Sequence, residues 1–405
     1  MTKSDFYHYQ AQTTPFAPGL EIESASGNYI VDTAGNKYLD MVAGVSALPL
    51  GHCHPAVTKA IKDQVDQYMH VMVYGEYTQQ PAVELCKKLA SLLPDPLETT
   101  YLVNSGTEAM EAAIKLARRV TGATEIIAMN KSYHGNTMGS LSLMNYEERK
   151  APFRPLLPSI SHIKFNCLQD LRLITEKTAG VVIESIQGGA GFIVPRKQWM
   201  QELRKRCTQT NTLLIVDEIQ PGIGRTGTMF YFTQHDIIPD MVITGKGLAG
   251  GMPIGALTTS KEHMSRFKEE PMLGHITTFG GHPVIAAAAL ATLIEIEEGK
   301  YMDKMLEKEL RFRESLQHKN IKEIRGKGLM LAAILTDDRF TAQIVEECRN
   351  RGVIFFLLLF EKRAIRITPP YTITDSEIDH ACKILLEVID IFYLNLSKGH
   401  LFISC

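Results

Sequence analysis

The segment Leu213-Leu-Ile-Val-Asp-Glu-Ile-Gln220 is a short apolar run that ends in two acids. Comparable runs recur along the middle of the chain, at Tyr101-Leu-Val, Ile126-Ile-Ala-Met, Gly180-Val-Val-Ile and Met241-Val-Ile-Thr. Longer stretches with helical periodicity separate these runs. The alternation predicts an α/β fold, in which helices cover both faces of one sheet.

The two ends of the chain differ in pattern from the middle. Residues 27–40 predict short strands joined by turns. After about residue 295, the pattern predicts a charged helix from Lys304 to Gln317, a strand from Leu329 to Leu335, and then a helix, a strand and a final helix. We therefore expect a large domain at residues 51–295 and a smaller α+β domain made of residues 1–50 and 296–405.

Bulk composition points to neither nucleic acid nor membrane as a partner. Hydrophobic residues make up 45% and charged residues 22% of the chain, and the formal net charge is −2, as in average soluble proteins. The most apolar run, Val353 to Phe360, is far too short to span a bilayer. The seven cysteines include no C-x-x-C pair and are odd in number, which favours a reducing, cytoplasmic compartment.

The segment Asn104-Ser-Gly-Thr-Glu108 lies where a predicted strand ends and a helix begins. One apolar face indicates this helix, and it consists of Ala109, Ala113, Leu116, Ala117 and Val120. Free N–H groups and the positive end of the helix dipole suit Ser105, Gly106 and Thr107 to phosphate binding. A plain N-cap with a turn glycine explains the same residues.

Asp217 and Lys246 each follow an apolar strand, at the edge where α/β sheets bind their ligands. Because side chains alternate on a strand, Asp217 and Glu218 point to opposite faces, and only one of them faces a ligand. Lys246 stands in Thr244-Gly-Lys-Gly-Leu-Ala-Gly250, where open backbone suits a lysine that forms an imine once its pKa is lowered. Taken singly, Asp217 is also explained as a solvated or salt-bridged acid, and Lys246 as a surface lysine.

Two other patterns compete with this interpretation. Gly222-Ile-Gly-Arg-Thr-Gly227 matches the G-x-G-x-x-G dinucleotide-binding motif. However, Pro221 precedes it, and the run Thr228-Met-Phe-Tyr-Phe-Thr233 follows it in place of the required helix. His52-Cys-His54 offers two residues that bind metals, without a third or fourth ligand. We therefore predict no metal site and discount a nicotinamide site.

In their order, these motifs resemble the class III (subgroup II) aminotransferases of pyridoxal 5'-phosphate (PLP) fold type I, the group of acetylornithine, ornithine and 4-aminobutyrate aminotransferases. The similarity spans roughly residues 27–374, in Gly27-x-Tyr-x-x-Asp32, Tyr38-Leu-Asp40, Gly51-His-x-His-Pro55, Ser105-Gly-Thr-Glu-Ala109, Tyr133-His-Gly135, Ile183-Glu-x-Ile-Gln-Gly188, Asp217-Glu-Ile-Gln220, Gly224-Arg-Thr-Gly227, Lys246-Gly-x-x-Gly-Gly251-x-Pro, Thr278-Phe-Gly-Gly281 and Arg366-x-x-Pro-Pro370. It implies PLP as cofactor and a large domain with a mostly parallel seven-stranded sheet.

The resemblance also implies roles for individual residues. Lys246 would hold PLP as a Schiff base and move the substrate proton, and Asp217 would pair with the pyridine nitrogen, which an ionised carboxylate keeps protonated. Arg366 would grip a substrate carboxylate. The other residues expected to bind the cofactor are Ser105, Gly106, Thr107, Tyr133, His134, Glu184, Gln220 and Thr278. Val45 and Ser46 are expected to line the substrate pocket.

Three of these residues match particular family positions. Tyr133 matches the aromatic residue stacked on the pyridine ring, and Gln220 the residue near its phenolic oxygen. Thr278 matches a residue that reaches the phosphate of the neighbouring subunit's cofactor, so a homodimer with shared active sites is implied. The structural alternatives are a core tyrosine at Tyr133 and a surface arginine at Arg366.

The implied reaction moves an amino group from an amino acid or amine to a keto acid, either 2-oxoglutarate or pyruvate, by a ping-pong mechanism. The sequence departs from the family at Gly189, where ornithine- and 4-aminobutyrate-type members carry a Glu that can neutralise the substrate-binding arginine. We hypothesise that Arg366 therefore stays free to bind a carboxylate in both half-reactions. A second departure, His282 in place of the usual Asn, has no predicted effect.

Three alternative functions stay open at this point. A PLP-dependent aminomutase, racemase or decarboxylase would use the same cofactor anchors, and dependence on a keto acid acceptor distinguishes an aminotransferase from them. A nicotinamide dehydrogenase rests on three glycines alone and would be colourless. The third alternative is a binding protein that kept the fold without the activity.

Overall fold

The computed structural model describes residues 3–397. The strands are Ile22–Ser26 (β1), Tyr29–Asp32 (β2), Lys37–Asp40 (β3), Thr99–Val103 (β4), Glu125–Met129 (β5), Ile160–Ile163 (β6), Thr178–Glu184 (β7), Leu213–Asp217 (β8), Met241–Gly245 (β9), Gly255–Thr259 (β10), Ile321–Lys327 (β11), Met330–Leu335 (β12), Val353–Ile354 (β13), Phe356–Leu357 (β14) and Ala364–Ile367 (β15). The α-helices are Lys3–Tyr9 (α1), Ala43–Ser46 (α2), Pro55–Gln67 (α3), Gln80–Leu92 (α4), Gly106–Thr121 (α5), Met138–Ser142 (α6), Glu147–Lys150 (α7), Lys197–Gln209 (α8), Lys261–Ser265 (α9), Pro283–Glu298 (α10), Met305–Ser315 (α11), Thr341–Asn350 (α12) and Asp375–Ser397 (α13).

The central sheet has seven strands in the order β4-β10-β9-β8-β7-β5-β6. The strands from β9 to β6 pair in parallel, and β10 pairs antiparallel with both β4 and β9. The five apolar runs form β4, β5, β7, β8 and β9, which confirms the expected mostly parallel sheet. The sequence pattern does not indicate β6 and β10, because each contains few large apolar residues.

Helices cover both faces of this sheet, as the alternation of elements predicts. Leu214 and Val216 of β8 belong to one buried cluster with Trp199 of α8, whereas Ile215 belongs to a second cluster with Ala113 of α5. A strand that is buried on both faces has a continuous apolar sequence, which explains the run in β8. Packing on both faces holds the carboxyl end of the strand, and Asp217 with it, in a fixed place.

Two smaller sheets are built from the chain ends. β1, β2 and β3 share a sheet with β13, which pairs in parallel with β3, so a strand from the C-terminal part completes the N-terminal sheet. The other sheet has the order β11-β12-β15-β14. The predicted charged helix corresponds to α11 and the predicted strand after it to β12. The domain boundaries at residues 50 and 295 stay predictions.

The helices give no indication of a membrane anchor within the described residues. None of the helices in residues 3–397 combines the length and the apolar character that a bilayer crossing requires, and this includes the longest helix, α13.

Candidate active site

A cavity of about 660 Å³ opens at the carboxyl ends of the central strands. Most of the predicted site residues line it, namely Val45, Ser105, Gly106, Thr107, Tyr133, His134, Glu184, Asp217, Gln220, Lys246 and Arg366. Ser46 is buried beside this wall, where its hydroxyl accepts a hydrogen bond from Gln220 Nε2 at 3.2 Å. Thr278 is exposed and does not line the cavity. The fold thus gathers all but one of the predicted residues at one place.

The start of α5 forms one side of the cavity. Ser105 is its N-cap, and the helix begins at Gly106, within the predicted segment. A Cβ at Gly106 would lie 2.3 Å from Ile219 Cδ1, so a larger residue at this position would require the Ile219 side chain to move. The Thr107 hydroxyl exchanges hydrogen bonds with the hydroxyls of Thr137 and Ser140, each at 2.7 Å. The free N–H groups of this first turn are suited to bind an anion.

Asp217 is paired with an imidazole at the base of the cavity. His134 Nδ1 lies 2.8 Å from Asp217 Oδ2, and both side chains are buried. The other carboxylate oxygen, Oδ1, accepts a hydrogen bond from the Ile219 backbone N–H at 3.0 Å. No hydrogen-bond partner exists for His134 Nε2 among the described residues. The pair therefore fixes the orientation of the carboxyl group that faces the cavity.

Glu218 points away from this cavity, as the strand alternation predicts. Its carboxylate accepts hydrogen bonds from the backbone N–H groups of Tyr231 at 3.0 Å and Phe232 at 2.8 Å. Burial raises its pKa to about 7. Glu218 thus anchors the loop after β8, and only Asp217 of the two acids lines the cavity.

Glu184, at the end of β7, is the second acid of the cavity. It accepts hydrogen bonds from the backbone N–H groups of Tyr133 at 3.1 Å and Gly188 at 2.9 Å. Burial raises its pKa to about 7, and the negative charge of Asp217 also contributes. Since both oxygens are already used by backbone donors, Glu184 holds two loops of the site together.

Lys246 follows β9 directly and begins a short 3-10 helix that ends at Ala249. Its backbone has a positive φ of 44°, a conformation that is rare for a lysine and that persists only where the surrounding structure constrains it. Burial and, next, the charge of Arg366 lower its pKa to about 8. Roughly a tenth of this amine is neutral at pH 7, against about one in three thousand for an ordinary lysine. The neutral amine is the nucleophilic form.

Arg366 lies on β15 with its side chain buried and its charge uncompensated. The guanidinium carbon lies 5.7 Å from the centre of the Phe192 ring. Neither Nε nor Nη1 has a hydrogen-bond partner among the described residues. Burial lowers its pKa to about 10, with a smaller contribution from the charge of Arg225. A buried cation with open donors requires an anionic partner, and a carboxylate is the best geometric match.

The position of Gly189 explains why no acid faces Arg366 from this loop. Gly189 lines the cavity, and a Cβ built on it would lie 2.8 Å from two ring atoms of Phe360. Phe360 is itself fixed, because its ring stacks on Tyr146 with centroids 4.6 Å apart and its N–H donates to the Gly189 carbonyl at 2.9 Å. The space that a longer residue would need is therefore filled by an aromatic ring.

The two competing motifs have structural roles. The glycine-rich segment at 222–227 is followed by a 3-10 helix, Tyr231–His235, and not by the α-helix of a dinucleotide site. Its Arg225 donates to the backbone carbonyls of Leu329 and Pro369 at 2.9 and 3.0 Å. His52 Nε2 lies 2.9 Å from Asp40 Oδ2. Residues 3–397 contain no group of three or more His, Cys, Asp or Glu side chains suited to a metal ion.

Sequence reasoning missed the apolar part of the cavity wall. Phe356, Leu357 and Leu359 line the cavity, yet the sequence marks them only as part of an apolar run. Phe192, over which the Arg366 guanidinium lies, was also missed, because it lies in the loop after β7 and belongs to none of the motifs. The one available signal was that the run is too short for a helix and lacks the alternation of a half-buried strand.

One cavity is thus surrounded by a lysine amine, a buried pair of an acid and an imidazole, a helix N-terminus and an arginine without an acidic partner among the described residues. The family model described as aminotransferase class-III matches residues 9–389. The chain belongs to the class-III aminotransferases. This membership confirms the family resemblance and shows that the protein is a PLP-dependent transaminase. It also removes the nicotinamide dehydrogenase and the inactive binding protein as alternatives.

Relatives of this class-III aminotransferase match over nearly their whole length. Acetylornithine aminotransferase of Methanopyrus kandleri is 36% identical over 391 residues, covering 95% of this chain and 97% of the relative. A structure of Toxoplasma gondii ornithine aminotransferase, described with partial PLP occupancy at the active site, has a TM-score of 0.89 and 28% identity and covers 98% and 96% of the two chains. The adenosylmethionine-8-amino-7-oxononanoate aminotransferase of Methanocaldococcus jannaschii has a TM-score of 0.88 and 29% identity, with coverage of 96% and 98%.

The residues of the cavity fit PLP. The lysine amine with its lowered pKa suits the aldehyde group, the paired carboxyl of Asp217 suits a ring nitrogen, and the start of α5 suits a phosphate. The unpartnered nitrogens of Arg366 fit a carboxylate on the substrate. The chain therefore supplies a group for the aldehyde, the ring nitrogen and the phosphate of the cofactor and for one acid group of a substrate.

Proposed function

We propose that this cavity is the transaminase active site, with Lys246 as the residue that binds PLP and transfers the substrate proton. One observation carries the proposal: the Lys246 amine, with a pKa lowered to about 8, shares the cavity with Arg366, which has two unpartnered nitrogens. When bound, PLP withdraws electrons from the amino-bearing carbon of the donor. A neutral amine beside that carbon can accept the proton, and Arg366 orients the substrate by its carboxylate.

The remaining residues hold and orient the cofactor. We assign the ring nitrogen to Asp217, whose orientation is fixed by His134 and by the Ile219 N–H. We assign the phosphate to Ser105, Gly106 and Thr107, the face of the ring to Tyr133 and the phenolic oxygen to Gln220. Glu184 acts from behind by positioning the Tyr133 and Gly188 segments. We assign Val45 and Ser46 to the substrate side, Val45 as part of the cavity wall and Ser46 through its contact with Gln220.

A visible absorbance experiment tests this proposal. The purified protein with PLP is expected to be yellow, to lose that colour with an amino donor, and to regain it when a keto acid is added. Regain by pyruvate or 2-oxoglutarate demonstrates the exchange of an amino group in two half-reactions, which a decarboxylase or racemase does not require. Loss of colour without recovery by any keto acid would contradict the ping-pong mechanism.

Replacing Gly189 with glutamate tests whether an unpaired Arg366 sets the donor preference. Gly189→Glu alone is expected to be poorly folded, since its Cβ meets the Phe360 ring. In Gly189→Glu combined with Phe360→Ala, the new carboxylate is expected to neutralise Arg366. The ratio of kcat/KM for ω-amino over α-amino donors should then rise about tenfold or more, because a hydrogen bond to a charged group is worth about 1.5–3 kcal/mol. Phe360→Ala alone is the control, and an unchanged ratio in the double variant would contradict the hypothesis.

We also propose a homodimer with shared active sites in a cytoplasmic location. Thr278 is exposed and outside its own cavity, as a residue that serves a neighbouring subunit would be. Large apolar side chains are exposed near it in the chain and at residues 69–83, namely Met69, Met72, Tyr77, Val83, Met272, Leu273, Ile276 and Phe279. The two segments adjoin, since Tyr77, Val83 and Ile276 line one cavity, and an exposed apolar surface of this kind marks a protein contact. The six described cysteines, which are all unpaired, support a reducing compartment.

A further inference from the structure

Arg225 lies in the loop after β8 and has its whole side chain inside the protein. The residue is 1% exposed. Since one chain already buries it, its contacts do not depend on a neighbouring subunit. Its guanidinium lies over the Tyr371 ring, 5.0 Å from the ring centre. A buried arginine has lost its hydration, so contacts within the protein must replace the lost hydrogen bonds.

One nitrogen of this guanidinium closes the end of the β12–β15 pair. Nη1 donates to the Leu329 carbonyl at 2.9 Å and to the Pro369 carbonyl at 3.0 Å. The strand register pairs Leu331 with Ile367, and Leu329 and Pro369 each lie two residues farther in the same direction. Proline has no N–H with which to continue the ladder. The Arg225 side chain therefore supplies hydrogen bonds where the strand pair ends.

The backbone of the same loop is joined to the same place. The Leu329 N–H donates to the Arg225 carbonyl at 2.9 Å. The turn between β11 and β12 packs directly against this carbonyl, since a Cβ built on Gly328 would lie 2.4 Å from its oxygen. After β15, the Tyr371 hydroxyl donates to the Ile223 carbonyl at 2.7 Å. The loop after β8 is thus bound to both strands of the pair and to the segment that follows them.

This connection joins the two parts of the proposed site. Asp217 and Gln220, which we assign to the cofactor, precede Arg225 at the end of β8 and in the loop after it. Arg366 lies on β15, three residues before Pro369. The charge of Arg225 also acts on Arg366, because it lowers the pKa of that guanidinium, second to burial. Two like charges repel each other, so fixed contacts are needed to hold both in place.

We propose that Arg225 is a positioning residue that sets the distance between the carboxylate anchor, Arg366, and the residues that bind the cofactor. This inference rests on the proposed function of the cavity. Arg225 does not line the cavity, and it acts through the β12–β15 pair. Loss of its two hydrogen bonds frees the end of β15, and a displacement of about 1 Å at a group that orients a substrate can cost about a hundredfold.

Carboxylate binding by the PLP-loaded enzyme tests this role directly. Propionate is the probe, because it has a carboxylate and no amine that could react, and calorimetry gives its dissociation constant. In Arg225→Gln, we expect this constant to rise about tenfold or more, whereas the dissociation constant of PLP changes less than about twofold. For an α-amino donor, KM should rise by a similar factor and kcat should change less than about threefold, since the groups that act on the cofactor are untouched.

Arg313→Gln is the matched control. Arg313 also donates to two backbone carbonyls of the same sheet, those of Ile324 and Gly326 on β11, and it does not line the cavity. Its replacement should lower the thermal stability of the protein and leave propionate binding unchanged. An unchanged propionate constant in Arg225→Gln, or an equal weakening of propionate and PLP binding, would overturn the inference.

A conservative variant decides the matter if Arg225→Gln does not fold. Arg225→Lys keeps the charge and is expected to lose one of the two hydrogen bonds, which should weaken propionate binding about threefold at unchanged PLP affinity. An unchanged constant in Arg225→Lys would then overturn the inference.

Arg366→Gln separates a failure of this inference from a failure of the proposed function. It should abolish propionate binding, because it removes the carboxylate anchor itself. If Arg366→Gln binds propionate as the wild type does, the proposed role of Arg366 fails. If propionate binding is lost in Arg366→Gln and unchanged in the Arg225 variants, the positioning role of Arg225 alone is wrong.

Discussion

Replacing Lys246 with alanine is expected to lower kcat/KM for transamination by about 10²- to 10⁴-fold or more, the effect of removing a positioned general base. On the proposed assignment, the variant loses both the amine that binds PLP and the group that moves the substrate proton. Borohydride reduction followed by mass spectrometry checks the first loss. Reduction should fix the cofactor covalently to the Lys246 peptide of the wild-type enzyme, and to no peptide of the variant.

Lys59→Ala is the matched control for this experiment. Lys59 is exposed and lies on α3, so its removal should leave both activity and labelling unchanged. A small primary amine in solution should restore part of the Lys246→Ala activity, since it can replace the missing proton acceptor. Full activity in Lys246→Ala, or labelling of another lysine in the wild type, would contradict the assignment of Lys246.

The residues at the carboxyl edge of the central sheet were predictable because the local sequence pattern indicates where each strand ends. β8 and β9 are buried on both faces, so each is a continuous apolar run, and the first polar residues after each run must lie at the sheet edge. Asp217 and Lys246 occupy those places. The same reasoning placed Glu218 on the opposite face, where it binds the N–H groups of Tyr231 and Phe232.

The apolar half of the site could not be predicted, because it depends on pairings distant in sequence. Phe356 contributes through its register with Arg366, and a shift of one residue would turn it to the other face of the sheet. The environment of Arg366 depends on Phe192, which comes from the loop after β7. The absence of a side chain at Gly189 is likewise explained only by the Phe360 ring beside it, which the sequence does not place there.

The motifs contain the residues that we assign to the cofactor and one residue that we assign to a substrate carboxylate, Arg366, whereas the apolar residues of the cavity wall lie outside them. Lys246, Asp217 and the start of α5 can serve any amino donor, since they act on the cofactor. Arg366 and the apolar side chains of Phe356, Leu357 and Leu359 line the same cavity, and we expect them to restrict the donor further. A relative with the same cofactor residues and a different wall is therefore expected to act on a different donor, in keeping with the separation between fold and specificity.

A dimer of two differently inactivated subunits is expected to regain activity if Thr278 serves the neighbouring site. Thr278→Ala is expected to weaken PLP binding by about tenfold or more, because a charge-assisted hydrogen bond to phosphate is lost. Lys246→Ala is expected to contribute little activity of its own. In a hybrid of the two, one site combines Lys246 from one subunit with Thr278 from the other and is intact. Its specific activity should reach about half of the wild-type value at limiting PLP, since one of two sites works.

The reverse arrangement provides the control that makes this result decisive. A chain carrying both Lys246→Ala and Thr278→Ala is paired with a wild-type chain, and doubly tagged dimers are purified in both cases. If the sites are shared, this second hybrid has no intact site and needs more PLP for activity, although it contains the same substitutions. If Thr278 serves its own subunit, the order reverses: the second hybrid binds PLP as the wild type does, and the first does not. Equal PLP dependence in both hybrids would mean that Thr278 contributes to neither site, because the substitutions are identical in number and differ only in which subunit carries them.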